Sequence, residues 1–279
     1  MLDHVAVSKR KRIIQTTLFY LLVIIMLTIV LFPFFWMILA SFKINADILN
    51  IEKLFSFVPT FKNYISVFID YNFVKPLVNS FIISFVSTML ALLLGLPAAY
   101  AIGRHRMHLF SGIILMIRII PAISFLVPWY LLFTKLKLTG TYTSLIICHL
   151  IVSLPTIIWI MIPYFESIPR DLEMAAKIDG ASNMGTFCKV MMPLATPGIL
   201  TAGILAFIFS WNNFMFALIL CSNKTTTLPI AIYQFISYSN VNWGGIMAAS
   251  VIITLPIIII SFFLQRYIIT GLTAGAVKG

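Results

Sequence analysis

The sequence is poor in charge. Asp, Glu, Lys and Arg make up only 10% of its 279 residues, against 61% hydrophobic, whereas a water-facing domain carries about a quarter charged. With a mean hydropathy of +1.05, the apolar side chains cannot be hidden in one interior, and the chain reads as an integral membrane protein. Acids are scarcer still, 8 Asp and Glu against 19 Lys and Arg. In a soluble chain that imbalance would point to nucleic acid, but these charges sit in small clusters between long apolar runs and cannot assemble a basic face. The excess reads instead as topology, with Lys and Arg held on the cytoplasmic side. Cysteine is sparse: Cys148, Cys188 and Cys221 are odd in number and scattered, so no disulfide framework or metal spacing emerges. A GxxxxGK[ST] phosphate loop is absent, so the chain carries no nucleotide site of that kind.

What is present is a series of apolar runs. After Lys9, Arg10, Lys11 and Arg12 comes an uncharged run over 13–42, about twice the ~7–15 residues of a signal-peptide core and therefore a retained span. Further runs near 77–103, 110–134, 142–165, 198–220 and 245–264 each reach the ~20 residues needed to cross about 30 Å of hydrocarbon. They predict an all-α integral membrane protein with six transmembrane helices and both ends on one side. With the N-terminus inside, Arg10, Arg12, Arg104, Arg106, Arg170 and Arg266 all lie on the cytoplasmic side, which places both termini there. The predicted organisation is a cytoplasmic tail over 1–12, a six-span domain over 13–267 and a cytoplasmic tail over 268–279. Two loops are longer than connectors need to be: an outer loop over 43–76, expected to form short interfacial helices, and an inner loop over 166–197 that holds Glu166, Asp171, Glu173 and Asp179.

The inner loop reads as helix, break, helix. Pro169 suits a first helical turn, Asp171 and Glu173 suit the positive end of the helix dipole, and Gly180 can take the left-handed conformation that ends a helix. Ile168, Leu172, Ala175 and Ala176 are expected on one face. A two-turn helix with small residues on that face cannot be stable alone and needs something to dock against. A helix lying on lipid headgroups would instead show larger apolar residues and more Lys or Arg.

With Ala175, Ala176, Gly180, Val190, Met192 and Pro193 in place, this loop resembles the EAA loop of permease subunits of ABC importers. Met174 stands where that pattern has its Glu, with Glu173 just before it. Asn79 and Ser80, the 97–100 stretch, Trp211, Asn212 and Phe214, and the closing QRYIITGLTAGAVKG resemble the maltose-type, sugar-importing branch, with Asn213 where that branch has Glu. The resemblance implies a type I ABC importer permease in the bacterial cytoplasmic (inner) membrane, a multi-pass transport component and not itself an enzyme. It implies as partners a second permease subunit, two ATP-binding subunits, an outer sugar-binding protein, the sugar and the surrounding lipid. ATP and Mg would be bound by the ATPases, leaving no cofactor in this chain. Coupling to the ATPases is expected to fall on Leu172, Glu173, Ala175, Ala176, Gly180 and Pro193.

Ionisable residues inside spans are costly and hence candidate functional groups. Arg118, beside Pro121, is a candidate for the pathway lining, with structural bonding or snorkelling as the alternative. His149 reads as a helix-packing histidine. Trp211, Asn212 and Asn213 offer the aromatic face and amide groups a sugar needs; the asparagines could equally bond across helices to a partner. Two rival functions stand beside the importer. A secondary transporter driven by protons would use an intramembrane carboxylate, which the spans lack, and sodium coupling gives no reason for the inner loop. A membrane-embedded enzyme would need a nucleophile with a base, or a metal cluster, at working spacing, and neither is found.

Overall fold

The computed structural model describes residues 2–236 and 241–273, and it is helical almost throughout. The helices are α1 (Leu2–Ser41), α2 (Asn45–Ile48), α3 (Lys62–Ile69), α4 (Val74–Arg104), α5 (His108–Ile119), α6 (Leu126–Lys135), α7 (Tyr142–Ser167), α8 (Arg170–Ile178), α9 (Asn183–Thr186), α10 (Met192–Leu194), α11 (Thr196–Trp211), α12 (Met215–Leu220), α13 (Leu228–Ala231) and α14 (Trp243–Thr273). Residues 274–279, which carry much of the C-terminal resemblance and of the tail over 268–279, lie outside the described residues.

Four helices are long and apolar enough to cross a membrane, and six spans result if each of two bent pairs counts as one. The first bent pair is the third expected span, and the second joins the end of the loop expected over 166–197 to the first part of the fifth. His108–Ile119 meets Ala122–Lys135 at 83°, and Asn183–Leu194 meets Thr196–Trp211 at 79°. Ile120 is extended ahead of Pro121, because a proline ring clashes with a helical residue before it. By contrast Pro33, Pro97, Pro155, Pro163 and Pro256 sit inside continuous helices. The expected continuous span over 198–220 is instead α11 followed by a break at Asn212 and the short α12.

The chain divides into two units, one formed by the segment up to Asp70 with Phe235–Ile252, the other by Tyr71–Gln234 with the segment from Ile253. In the first unit, α1 is exposed at every position over 11–35, an apolar surface suited to lipid or another subunit. The segment that follows, over 43–76, forms the short helices α2 and α3. They are held by polar side chains on backbone: Asn63 Nδ2 donates to the Ser41 and Lys43 carbonyls, at 2.7 and 2.8 Å. Lys43 is fully buried, its ammonium donating to the Lys53 and Leu54 carbonyls and lying 4.6 Å from the Phe57 ring centre. Burial lowers its pKa from the ordinary lysine value, partly offset by Asp47.

The second unit is built on α4, α7 and α11. Gly95 lies against Leu154 and Ile157, and Gly103 against Ile162 and Phe165, so α4 and α7 run the same way, as the second and fourth spans of an alternately crossing chain must. Gly198 meets Tyr164 and Gly203 meets Leu92, which sets α11 running opposite to both. Small residues (Ala91, Ala99, Ala202, Ala206) fill the contact layer with Ile157, Met161 and Phe165. In lipid, where burial of apolar groups adds little, such close backbone approach supplies the packing that holds helices together.

Candidate functional site

Pro169 is the N-cap of α8 and not part of its first turn; Asp171 and Glu173 do occupy that turn. At the other end Gly180 has φ +85°. Its N–H donates to the Lys177 carbonyl at 3.1 Å, and the Ala181 N–H to the Ala176 carbonyl at 2.9 Å. These two bonds make a Schellman motif, in which glycine avoids the clash a side chain would meet. Ser182 then caps α9 by accepting from the Gly185 N–H. A π-helical turn over Phe187–Met191 follows, then α10 with Pro193 exposed.

The single face expected for α8 is split. Leu172, Ala175 and Gly180 are exposed, as are Met174 and Ile178, while Ile168 is buried and Ala176 half-buried. No α8 residue is fully buried, so the helix stands on the surface of this chain with an apolar outer side. Glu173 does not share that outer side. Its carboxylate lies 3.2 Å from Arg104 Nε, with the acid side chain 13% and the arginine 7% exposed, and it accepts a hydrogen bond from the Tyr100 hydroxyl. The reason is the helical repeat: Glu173 and Ala176 are three apart and therefore share the inward side.

Arg118 lies at the end of α5, next to the bend. Its guanidinium is exposed and sits 5.8 Å from the Trp159 ring centre. It opens on a cavity of about 330 Å³ lined also by Pro121, Phe125, Trp129, Pro155 and Thr156. The backbone is opened locally ahead of Pro121, with a pocket that combines a cation, aromatic faces and a hydroxyl. None of the eight acids falls within the apolar runs, so the cation has no carboxylate of this chain's spans to pair with.

The fifth-span trio is dispersed. Trp211 is 3% exposed, stacked on Phe207, and its Nε1 donates to the Ile253 carbonyl at 3.1 Å; it fastens α11 to α14 and presents no face to a ligand. Asn213 caps α12, its Oδ1 accepting from the Phe216 N–H at 3.1 Å. Asn212 ends α11 with its side chain exposed. His149 is buried beside these elements, its Nδ1 2.6 Å from the Ser210 hydroxyl, which in turn lies 3.1 Å from that of Ser87. Three helices are stitched by that chain of polar groups.

Sequence reasoning missed the part played by two positions. Tyr100 and Arg104, in sequence part of a resemblance and a topology marker, hold α8. Their four-residue spacing at the C-terminal end of α4, with a carboxylate in the 166–197 loop, was the available signal. The Asn79–Ser80 pair has a structural use: Asn79 donates to the Lys224 and Thr226 carbonyls and accepts from the Tyr142 hydroxyl, while Ser80 accepts from the Leu228 N–H.

Residues 91–273 match the family described as binding-protein-dependent transport system inner membrane component. The chain is 39% identical over 255 residues to the trehalose transport system permease protein SugB of Mycobacterium tuberculosis, covering 89% of this chain and 93% of that one. It is 35% identical over 278 residues to the trehalose/maltose transport system permease protein MalG of Thermococcus litoralis, covering 97% and 99%. The fold is shared, at a TM-score of 0.78 and 24% identity over 91% of this chain and 96% of the other, with a bacterial ABC transporter involved in the import of the acidic polysaccharide alginate. Together with the apolar spans, these matches establish that the chain belongs to the family of inner membrane components of binding-protein-dependent transport systems, as a multi-pass permease of the ABC importer kind.

Proposed function

We propose that this permease carries a sugar inward across the membrane, as one of two permease subunits that enclose the pathway. Two ATPases on the cytoplasmic side bind and hydrolyse ATP with Mg, and an outer binding protein delivers the sugar; the chain itself performs no catalysis. Both termini face the cytoplasm. The observation that carries the reading is α8, a two-turn helix with no fully buried residue and an outer side of Leu172, Met174, Ala175 and Ile178. So short a helix with an exposed apolar side is completed by a cleft in a partner, and the ATPase is the partner at that membrane face. Leu172, Ala175 and Gly180 make the contact, Ala176 lies at its edge, and Pro193 shapes the return into the fifth span. The substrate side uses Arg118 with its cavity and Asn212; the sugar identity of the relatives' cargo supports a sugar here. The test is a disulfide or thiol crosslink from Ala175→Cys to a cysteine in the ATPase cleft, in a background where Cys148, Cys188 and Cys221 are Ser. Crosslinking in the assembled complex is the expected result, and its absence under conditions where the complex is intact would remove the docking role.

A further inference from the structure

We infer that Arg104, Glu173 and Tyr100 form the anchor through which α8, once held by the ATPase, moves α4; the inference rests on the docking reading of α8 given above.

Two residues separate α8 from the end of α7; it is tied to α4 at its first residue, Arg170, and closes through the Gly180 turn at its other end. Its packing is against α9 and the π-helical turn, which belong to the same loop. The ion pair to Arg104 is what joins its middle to a spanning helix. Arg104 is the last residue of α4 and is itself held on several sides. Its guanidinium donates to the Ile168 carbonyl at 2.8 Å and approaches Met191 Sδ at 3.6 Å, while Arg170 donates to the Arg104 carbonyl at 3.1 Å. Tyr100, one turn earlier on α4, donates a hydrogen bond to the same carboxylate. Its ring is fixed between Phe165 on α7 and Phe187 in the π-helical turn, with centroid separations of 5.5 and 5.1 Å.

A low-dielectric setting makes such a pair stiff. Opposite charges shielded from water resist separation far more than surface pairs do, and the other guanidinium nitrogens, on the Ile168 carbonyl and Met191 Sδ, keep the Arg104 charge in place beside Glu173. A displacement of α8 therefore has to be shared by α4, whereas an α8 held to α4 at its first residue alone could tilt about that end. Glu173 is thereby a positioning residue that faces inward, distinct from the exposed residues that meet the ATPase.

The test uses the complete importer in proteoliposomes, with Glu173→Gln, Arg104→Gln and the milder Tyr100→Phe, which keeps the ring and removes only the hydroxyl. The readout is sugar accumulated per ATP hydrolysed, alongside the Ala175→Cys crosslink to the ATPase. Removing one member of a coupling network changes the coupling by about 2- to 30-fold. The expected result is a fall of about tenfold in sugar per ATP for Glu173→Gln and Arg104→Gln and a smaller fall for Tyr100→Phe, with the crosslink still forming. A role in folding alone would lower assembly and both activities together and leave the ratio unchanged; that outcome, or wild-type ratios in all three variants, would overturn the anchor. Loss of the crosslink in a complex otherwise wild type would overturn the docking reading, and the anchor with it.

Discussion

At Gly198 an added Cβ would lie 2.6 Å from Cγ of Tyr164, and the root of a ring fixed between helices cannot swing away as a flexible side-chain tip would. Gly198→Ala should therefore destabilise the permease by about 1–3 kcal/mol, the range for forced overpacking, seen as a lower midpoint for thermal unfolding in detergent. Asn79 gives a sharper contrast. Asn79→Ala leaves two carbonyls and a tyrosine hydroxyl unpartnered and should cost about 1–3 kcal/mol, while Asn79→Asp, of nearly the same shape, sets a carboxylate against two carbonyl oxygens and should cost more. A milder effect of Asn79→Asp than of Asn79→Ala would show that shape and not the donated hydrogen bonds matters there. Legibility at this scale was uneven. Arg118 and the polar pair 79–80 stand out in any apolar run, but which partner each finds depends on distant residues, such as Lys224 for Asn79 and Trp159 for Arg118. Trp211 illustrates the limit: an indole can stack on a sugar or donate to a carbonyl one helix away, and its use is decided by α14, which lies far along the chain.

Elements were legible where run length decides them and illegible where proline does. Each apolar run holds a helix, yet Pro155 and Pro163 are absorbed within α7 while Pro121 ends α5. A proline removes the same N–H in each place; whether neighbours and side chains make good the lost bond is a matter of tertiary packing that a single run does not reveal. The Gly180 break was readable because a Schellman turn has a local cause. It also permits a clean experiment. At φ +85° any side chain costs about 1 kcal/mol, but a Cβ there meets nothing within 4 Å in this chain. Gly180→Ala should thus retain most transport, whereas Gly180→Glu, with the same backbone cost but a bulky charge, should lower sugar uptake per ATP by about tenfold. Equal behaviour of the two variants would show that the ATPase does not pack closely on this turn.

For the whole molecule, the parallel run of α4 and α7 against α11 fits alternating crossings, and the orientation proposed from the basic residues can be measured. In a cysteine-free background, cysteines at the exposed positions Lys62 and Lys224 should react with an impermeant maleimide in intact cells, and those at His105 and Lys177, also exposed, should not. Labelling at Lys177 from outside would reverse the topology and detach α8 from the ATPase. The most direct measurement of the central claim is sugar uptake into proteoliposomes holding this permease, its partner permease and the ATPases, with binding protein outside and ATP sealed inside. Accumulation that requires both ATP and binding protein is the predicted result. Uptake that proceeds without ATP and follows an imposed proton or sodium gradient would contradict it.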